Sequence, residues 1–146
     1  MNPSTIKDLE KWLAENCIKN TFTPGNRYET DDGFGIENYN GIFIWYHAER
    51  GQKENIKYSR TEKEIVDYAF EIIKNDKYLN SHLVGSLNDA LLYENLLNEL
   101  KKRNIDYWSQ EISQGAGKSL FRVYVYRCDI KKVTDLKEKY FILKIY

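Results

Sequence analysis

Residues that ligate metals, cross-link a chain or break helices are scarce in this sequence. Its 146 residues include two cysteines, two histidines, two prolines and one methionine. His47 and His82 stand far apart, and neither Cys-x-x-Cys nor His-x-x-x-His occurs, which excludes a structural zinc site. No run approaches the roughly 18 apolar residues that a membrane-spanning helix requires. The first residues, MNPSTIKDLEKWLAEN, carry acids and no apolar stretch, so they do not read as a signal peptide. With no secretion signal, Cys17 and Cys128 are expected as reduced thiols in the cytoplasm. Net charge is missing too: 22 Lys and Arg balance 22 Asp and Glu, which argues against generic nucleic-acid binding.

Glycine is sparse, and its densest stretch, SQGAGKSLF at 113–121, lacks what a phosphate loop needs. Counting back five from Gly117 reaches Ile112 rather than glycine. Beyond Ser119 the chain alternates as a strand, so no helix N-terminus faces a phosphate. A dinucleotide loop would need a third glycine where Leu120 stands. The stretch is expected to be a hairpin loop from Ser113 to Ser119. Asp31-Asp32-Gly33, with Glu29 and Glu37 nearby, lacks the alternating carboxylates of a calcium loop and reads as a turn. Cys17 continues the apolar stripe Ile6, Leu9, Leu13 and is expected in the core rather than as a nucleophile. His47 with Glu49 could pair as acid and base, but His47 follows Phe43 and Trp45 on the core register. No catalysis, metal or cofactor is expected.

What the chain does have is apolar content of 42%, 30% charged residues and twelve tyrosines, the composition of a globular protein. Thr5 caps a helix expected over Ile6–Ile18, ended by TFTPGN. RYET, FGIENY, IFIWYH and ENIKYSR read as four strands. The Asn40-Gly41 turn fixes their register, with Tyr39 facing Ile42, Glu37 facing Ile44 and Gly35 facing Tyr46. One face then carries Phe34, Ile36, Phe43 and Trp45 as core. Thr61-x-x-Glu64 and Ser86-x-x-Asp89 read as capping boxes of two further helices, with NDKYLNSHLVG a connector. YWSQEI, FRVYVYR, a helix over 130–140 and FILKIY complete the chain. The expected fold class is α+β: an N-terminal helix, an antiparallel four-stranded sheet, two central helices and a C-terminal ββαβ unit. It is read as one domain, 1–146, with 1–84 and 86–146 as its subdivision.

The segment 42–73 has a strand ending in Tyr46, an Arg50-Gly51 turn, a polar strand from Glu54 to Arg60, and a helix bearing Tyr68 and Phe70. This pattern resembles the small immunity proteins of bacterial polymorphic and contact-dependent toxin systems. The resemblance covers about a fifth of the chain, and the residues after Asn88 have no counterpart in it. It implies a cytoplasmic, non-catalytic protein that binds and occludes the C-terminal domain of one cognate toxin, with no membrane role.

Residues 1–100 hold 11 basic and 17 acidic side chains, and residues 101–146 hold 11 and 5. Such a division marks either surfaces of opposite sign or segments that attract one another on folding. An acidic surface would suit a basic nuclease as partner. The candidate contact residues are Tyr28, Glu29, Asp31, Asp32, Glu37, Tyr39 and Tyr46. The face bearing Glu37, Tyr39, Ile42, Ile44 and Tyr46 is expected to lie under helix one, through Leu9, Trp12 and Leu13, with its rim exposed. The rival expectation is nucleic-acid binding by Lys101, Lys102, Arg103, Arg122, Tyr124, Tyr126 and Arg127.

Overall fold

In the computed structural model, which describes residues 2–18 and 32–141, Thr5 caps the first helix, α1 (Ile6–Glu15). The Asp8 amide donates to the Thr5 hydroxyl at 3.0 Å, satisfying a donor the helix leaves free. The helix stops at Glu15, three residues short of expectation. Cys17 takes a positive φ of 57°, Ile18 N–H donates to Leu13 O, and Cys17 N–H donates to Ala14 O. This is a Schellman closure, hidden in the sequence because cysteine holds the position that glycine usually marks. Cys17 therefore does not extend the helical stripe.

The chain forms two compact units, Met1–Asn80 and Ser81–Tyr146. In the first, β1 (Gly33–Tyr39), β2 (Ile42–Glu49) and β3 (Gln52–Ser59) form an antiparallel meander in that order. Asn40 and Gly41 both adopt positive φ, and the pairing Tyr39–Ile42, Glu37–Ile44, Gly35–Tyr46 is the one the turn predicts. Arg50 and Gly51 repeat the device between β2 and β3. A bulge follows, because Trp45 faces Lys57 while Tyr46 faces Asn55, leaving Ile56 as the extra residue.

Next comes α2 (Glu62–Asn75), whose cap differs in detail from a capping box. Thr61 Oγ1 accepts from Glu64 N–H, but Glu64 does not reach back to the Thr61 amide itself. That amide donates to Ser59 Oγ at 3.1 Å, and the Ser59 hydroxyl lies 3.0 Å from Glu64 Oε2. The buried serine thus relays the contact. One core joins Leu9 and Leu13 of α1, Ile36 and Trp45 of the sheet, and Ile65 and Ile73 of α2. Both helices therefore share the core with the Trp45 face. The expectation that helix one lies over the opposite face, with Glu37 and Tyr46, is corrected.

The second unit begins with β4 (Ser81–Leu87), in the segment read as a connector. There follow α3 (Ala90–Lys102), β5 (Tyr107–Ser113), β6 (Ser119–Tyr126), a 3-10 helix (Arg127–Lys132) and α4 (Thr134–Tyr140). Asp89 caps α3 alone, accepting from the Leu91 and Leu92 amides; Ser86 belongs to β4. The strands are antiparallel in the order β4-β6-β5. Val84, Val123 and Val125 pack with Leu96 and Leu100 of α3 and Leu136 and Tyr140 of α4. Residues 114–118 form the β5–β6 hairpin loop, shorter than expected because Ser113 and Ser119 pair, with positive φ at Gly115, Ala116 and Gly117.

The class is α+β, but the single four-stranded sheet is wrong: there are two three-stranded antiparallel sheets. Of the strands expected, RYET lies outside the described residues. So does FILKIY beyond Phe141, which forms one parallel bridge to Ser86. The ββαβ unit is corrected too, since its β6 pairs with the unforeseen β4 as well as with β5. Among the described residues there is no free cysteine: Cys17 and Cys128 are half-cystines, not reduced thiols. No described helix is long and apolar enough to cross a membrane.

Candidate protein-binding surface

The alternation of β1 and β2 puts Glu37, Tyr39, Ile42, Ile44, Tyr46 and Ala48 on the sheet face opposite Trp45. From β3, Lys53, Asn55 and Tyr58 join it, facing Ala48, Tyr46 and Ile44. Lys53 organises this face. Its ammonium pairs with the Glu37 carboxylate and stands 4.3 Å from the centre of the Tyr46 ring. Tyr46 is itself buried, only 3% exposed, and offers no contact surface.

The seven candidate residues consequently separate. Tyr28, Glu29 and Asp31 lie outside the described residues. Tyr46 is buried, which removes it from the contact set. Asp32 sits at the tip of the β2–β3 hairpin, its carboxylate accepting from the Arg50 amide at 3.2 Å. Glu37 is half-buried in its pair with Lys53. Tyr39 alone among them is an open aromatic ring, 63% exposed at the end of an edge strand. Two residues outside the candidate set join it as exposed large side chains, Tyr58 at 58% and Ile56 at 41%. The bulge hid them, since it shifts the alternation of ENIKYSR midway and two-residue spacing then misassigns a side.

Two grooves meet at the hairpin tip, with volumes of about 490 and 460 Å³, and share His47, Glu49 and Arg50. His47 packs against Phe34, ring centres 4.8 Å apart, so it serves as a ring in the sheet's edge packing. Among the described residues no three His, Cys, Asp or Glu side chains could hold a metal ion. The first is lined by polar and charged side chains of both signs, whereas the second, beside Asp32, also has Phe34, Ala48 and Leu79 in its wall.

In the second unit the basic set divides: Arg122, Tyr124 and Tyr126 share the face of β6 opposite Val123 and Val125, while Lys101, Lys102 and Arg103 end α3. Arg103 makes a two-pronged contact with Asp135, Nη1 to Oδ1 at 2.9 Å and Nη2 to Oδ2 at 2.6 Å, tying the end of α3 to the start of α4. That hydrogen-bonded pair holds the Asp135 carboxyl at about 2, below its ordinary 3.8, and raises the Arg103 guanidinium. Arg103 is thereby committed to the fold. Lys101 and Lys102 are exposed at the end of α3, where cations complement the helix dipole. Trp108 stacks on Tyr124 with ring centres 4.3 Å apart, and its Nε1–H donates to Ser81 Oγ, so these rings face one another rather than a base.

Comparison with protein-family models, with curated proteins and with solved structures found no match.

Proposed function

We propose that this chain is a binding protein of the immunity type, which captures and occludes the C-terminal domain of a cognate bacterial toxin. Tyr39 is the observation that carries the reading: a large amphipathic ring held open to solvent on a rigid hairpin edge. Rings so held supply contact area at little entropic cost. Tyr58 extends the same face, and the exposed Asp32 puts a negative charge on its border, suited to steering a basic nuclease. Nucleic-acid binding by the basic third is the competing proposal. It is weakened by the commitment of Arg103 to Asp135 and by the Trp108–Tyr124 stack.

A cytoplasmic location belongs to this proposal through the resemblance, whereas the half-cystine state of Cys17 and Cys128 points to an oxidising compartment. The function is tested by co-expression with any toxin domain found encoded beside this gene. Restored growth and co-purification are expected with the wild-type chain, and loss of both with Tyr39→Ala. Salt-sensitive binding of the isolated protein to RNA or DNA, without capture of the toxin domain, would favour the competitor.

A further inference from the structure

β3 is an edge strand, and residues 52–56 and 58 are exposed along it. An edge presents unpaired backbone donors and acceptors, and chains commonly blunt it with lysines and bulges. β3 has both, in Lys53, Lys57 and the extra residue Ile56, but their combination makes the strand complementary to itself.

In a regular strand, side chains alternate strictly between faces. A twofold axis normal to the sheet keeps each face on its own side. A regular strand can therefore meet its own copy only where the numbers of facing residues have an even sum. The bulge lifts that restriction. Lys53 and Asn55 lie on the face of Ala48 and Tyr46, while Glu54 lies on the face of His47. Past Ile56, Lys57 returns to the Trp45 face and Tyr58 to the Ile44 face. The Lys57 ammonium stands 5.6 Å from the Tyr68 ring of α2, consistent with that side. Glu54 and Lys57 thus share one face although three residues apart, and Lys53 and Tyr58 share the other.

We propose that β3 pairs antiparallel with β3 of a second copy of this chain, with Glu54 facing Lys57 of that copy. Symmetry makes this opposite-charge pair twice. The same register sets the Lys53 stem against Tyr58 and brings Asn55 beside Ile56, removing exposed apolar surface from water. A slip of one residue either way sets Lys53 against Ser59 or against Lys57, both of which lie on the other face. Faces and charges therefore select one register. Two three-stranded meanders join into a single sheet with β1 of each copy outermost among the described strands, and both Tyr39 rings stay exposed. This inference stands independently of the toxin reading.

Sedimentation equilibrium on the full chain tests it, from about 1 to 100 µM, the range in which a modest interface dissociates. A reversible dimer is expected. Glu54→Lys and Lys57→Glu should each weaken it by about tenfold or more, because each turns two attractive cross-strand pairs into repulsive ones. The double variant Glu54→Lys with Lys57→Glu should restore wild-type affinity. Far-UV circular dichroism shows that the variants fold. Wild-type protein that stays monomeric throughout overturns the proposal, as does a dimer that neither reversal weakens or a double variant no tighter than the singles.

Discussion

Arg103 shows how a single residue's meaning changes once its neighbour is known. In the sequence it closes a basic triplet; in the fold it grips Asp135, 32 positions away. The consequence is a defined pH dependence. The folded carboxyl is depressed to about 2 from 3.8, so the stability it contributes is fully present above the ordinary carboxylate range. That contribution fades as pH falls through about 2. Chemical denaturation of wild type and Asp135→Asn should differ by a constant amount near neutrality, and the two should converge below pH 4. A difference that persists unchanged at the acid end would mean the charge contributes nothing. Gly85 makes a second residue-scale case. A Cβ built there meets Leu96 Cδ2 at 2.6 Å and the Tyr140 carbonyl at 3.4 Å, and Leu96 is fully buried. Gly85→Ala should cost about 1–3 kcal/mol in urea melts, as overpacking does. A neutral substitution would show that α3 yields easily.

At the scale of elements, the first hairpin was legible because Asn40-Gly41 leaves the backbone one inexpensive turn, and the turn dictates every pairing after it. That register puts Trp45 in the core, 1% exposed and stacked on Phe34 at 5.1 Å. Trp45→Ala should cost roughly 3–5 kcal/mol, read from equilibrium unfolding. A loss below about 1 kcal/mol would mean the strand is slipped by one residue. Other elements were illegible for stated reasons. NDKYLNSHLVG reads as a connector, with Ser86 assigned to the cap of the next helix, because its glycine and polar residues suppress strand propensity. Ser81–Leu87 becomes β4 because Gly85 is what lets the strand approach α3 and α4 closely. The ends of α1 and α3 both close with Schellman bonds on non-glycine residues, Cys17 and Asn104, followed by the buried isoleucines Ile18 and Ile105. Of the candidate site, the exposure of Tyr39 was legible, at a strand end fixed by the turn. The burial of Tyr46 was not, because two-residue alternation assigns a side chain to a face without saying whether that face is covered.

For the whole molecule, the proposed capture of a protein partner rests on the acidic majority of the first hundred residues and the open tyrosines of the first unit. Steering charges act on association, and rings buried in a contact act on dissociation. Asp32→Asn removes the charge while keeping an oxygen for the Arg50 amide, so it should slow association without loosening the hairpin. The most direct measurement is surface-immobilised binding kinetics of a toxin domain found encoded beside this gene against wild type, Tyr39→Ala, Asp32→Asn, and Lys101→Glu with Lys102→Glu. The account predicts dissociation at least about tenfold faster for Tyr39→Ala. It also predicts slower, less salt-sensitive association for Asp32→Asn, and wild-type binding for the lysine reversal. Wild-type binding by the first two variants, together with loss of binding on reversing Lys101 and Lys102, would contradict it and move the interface to the second unit.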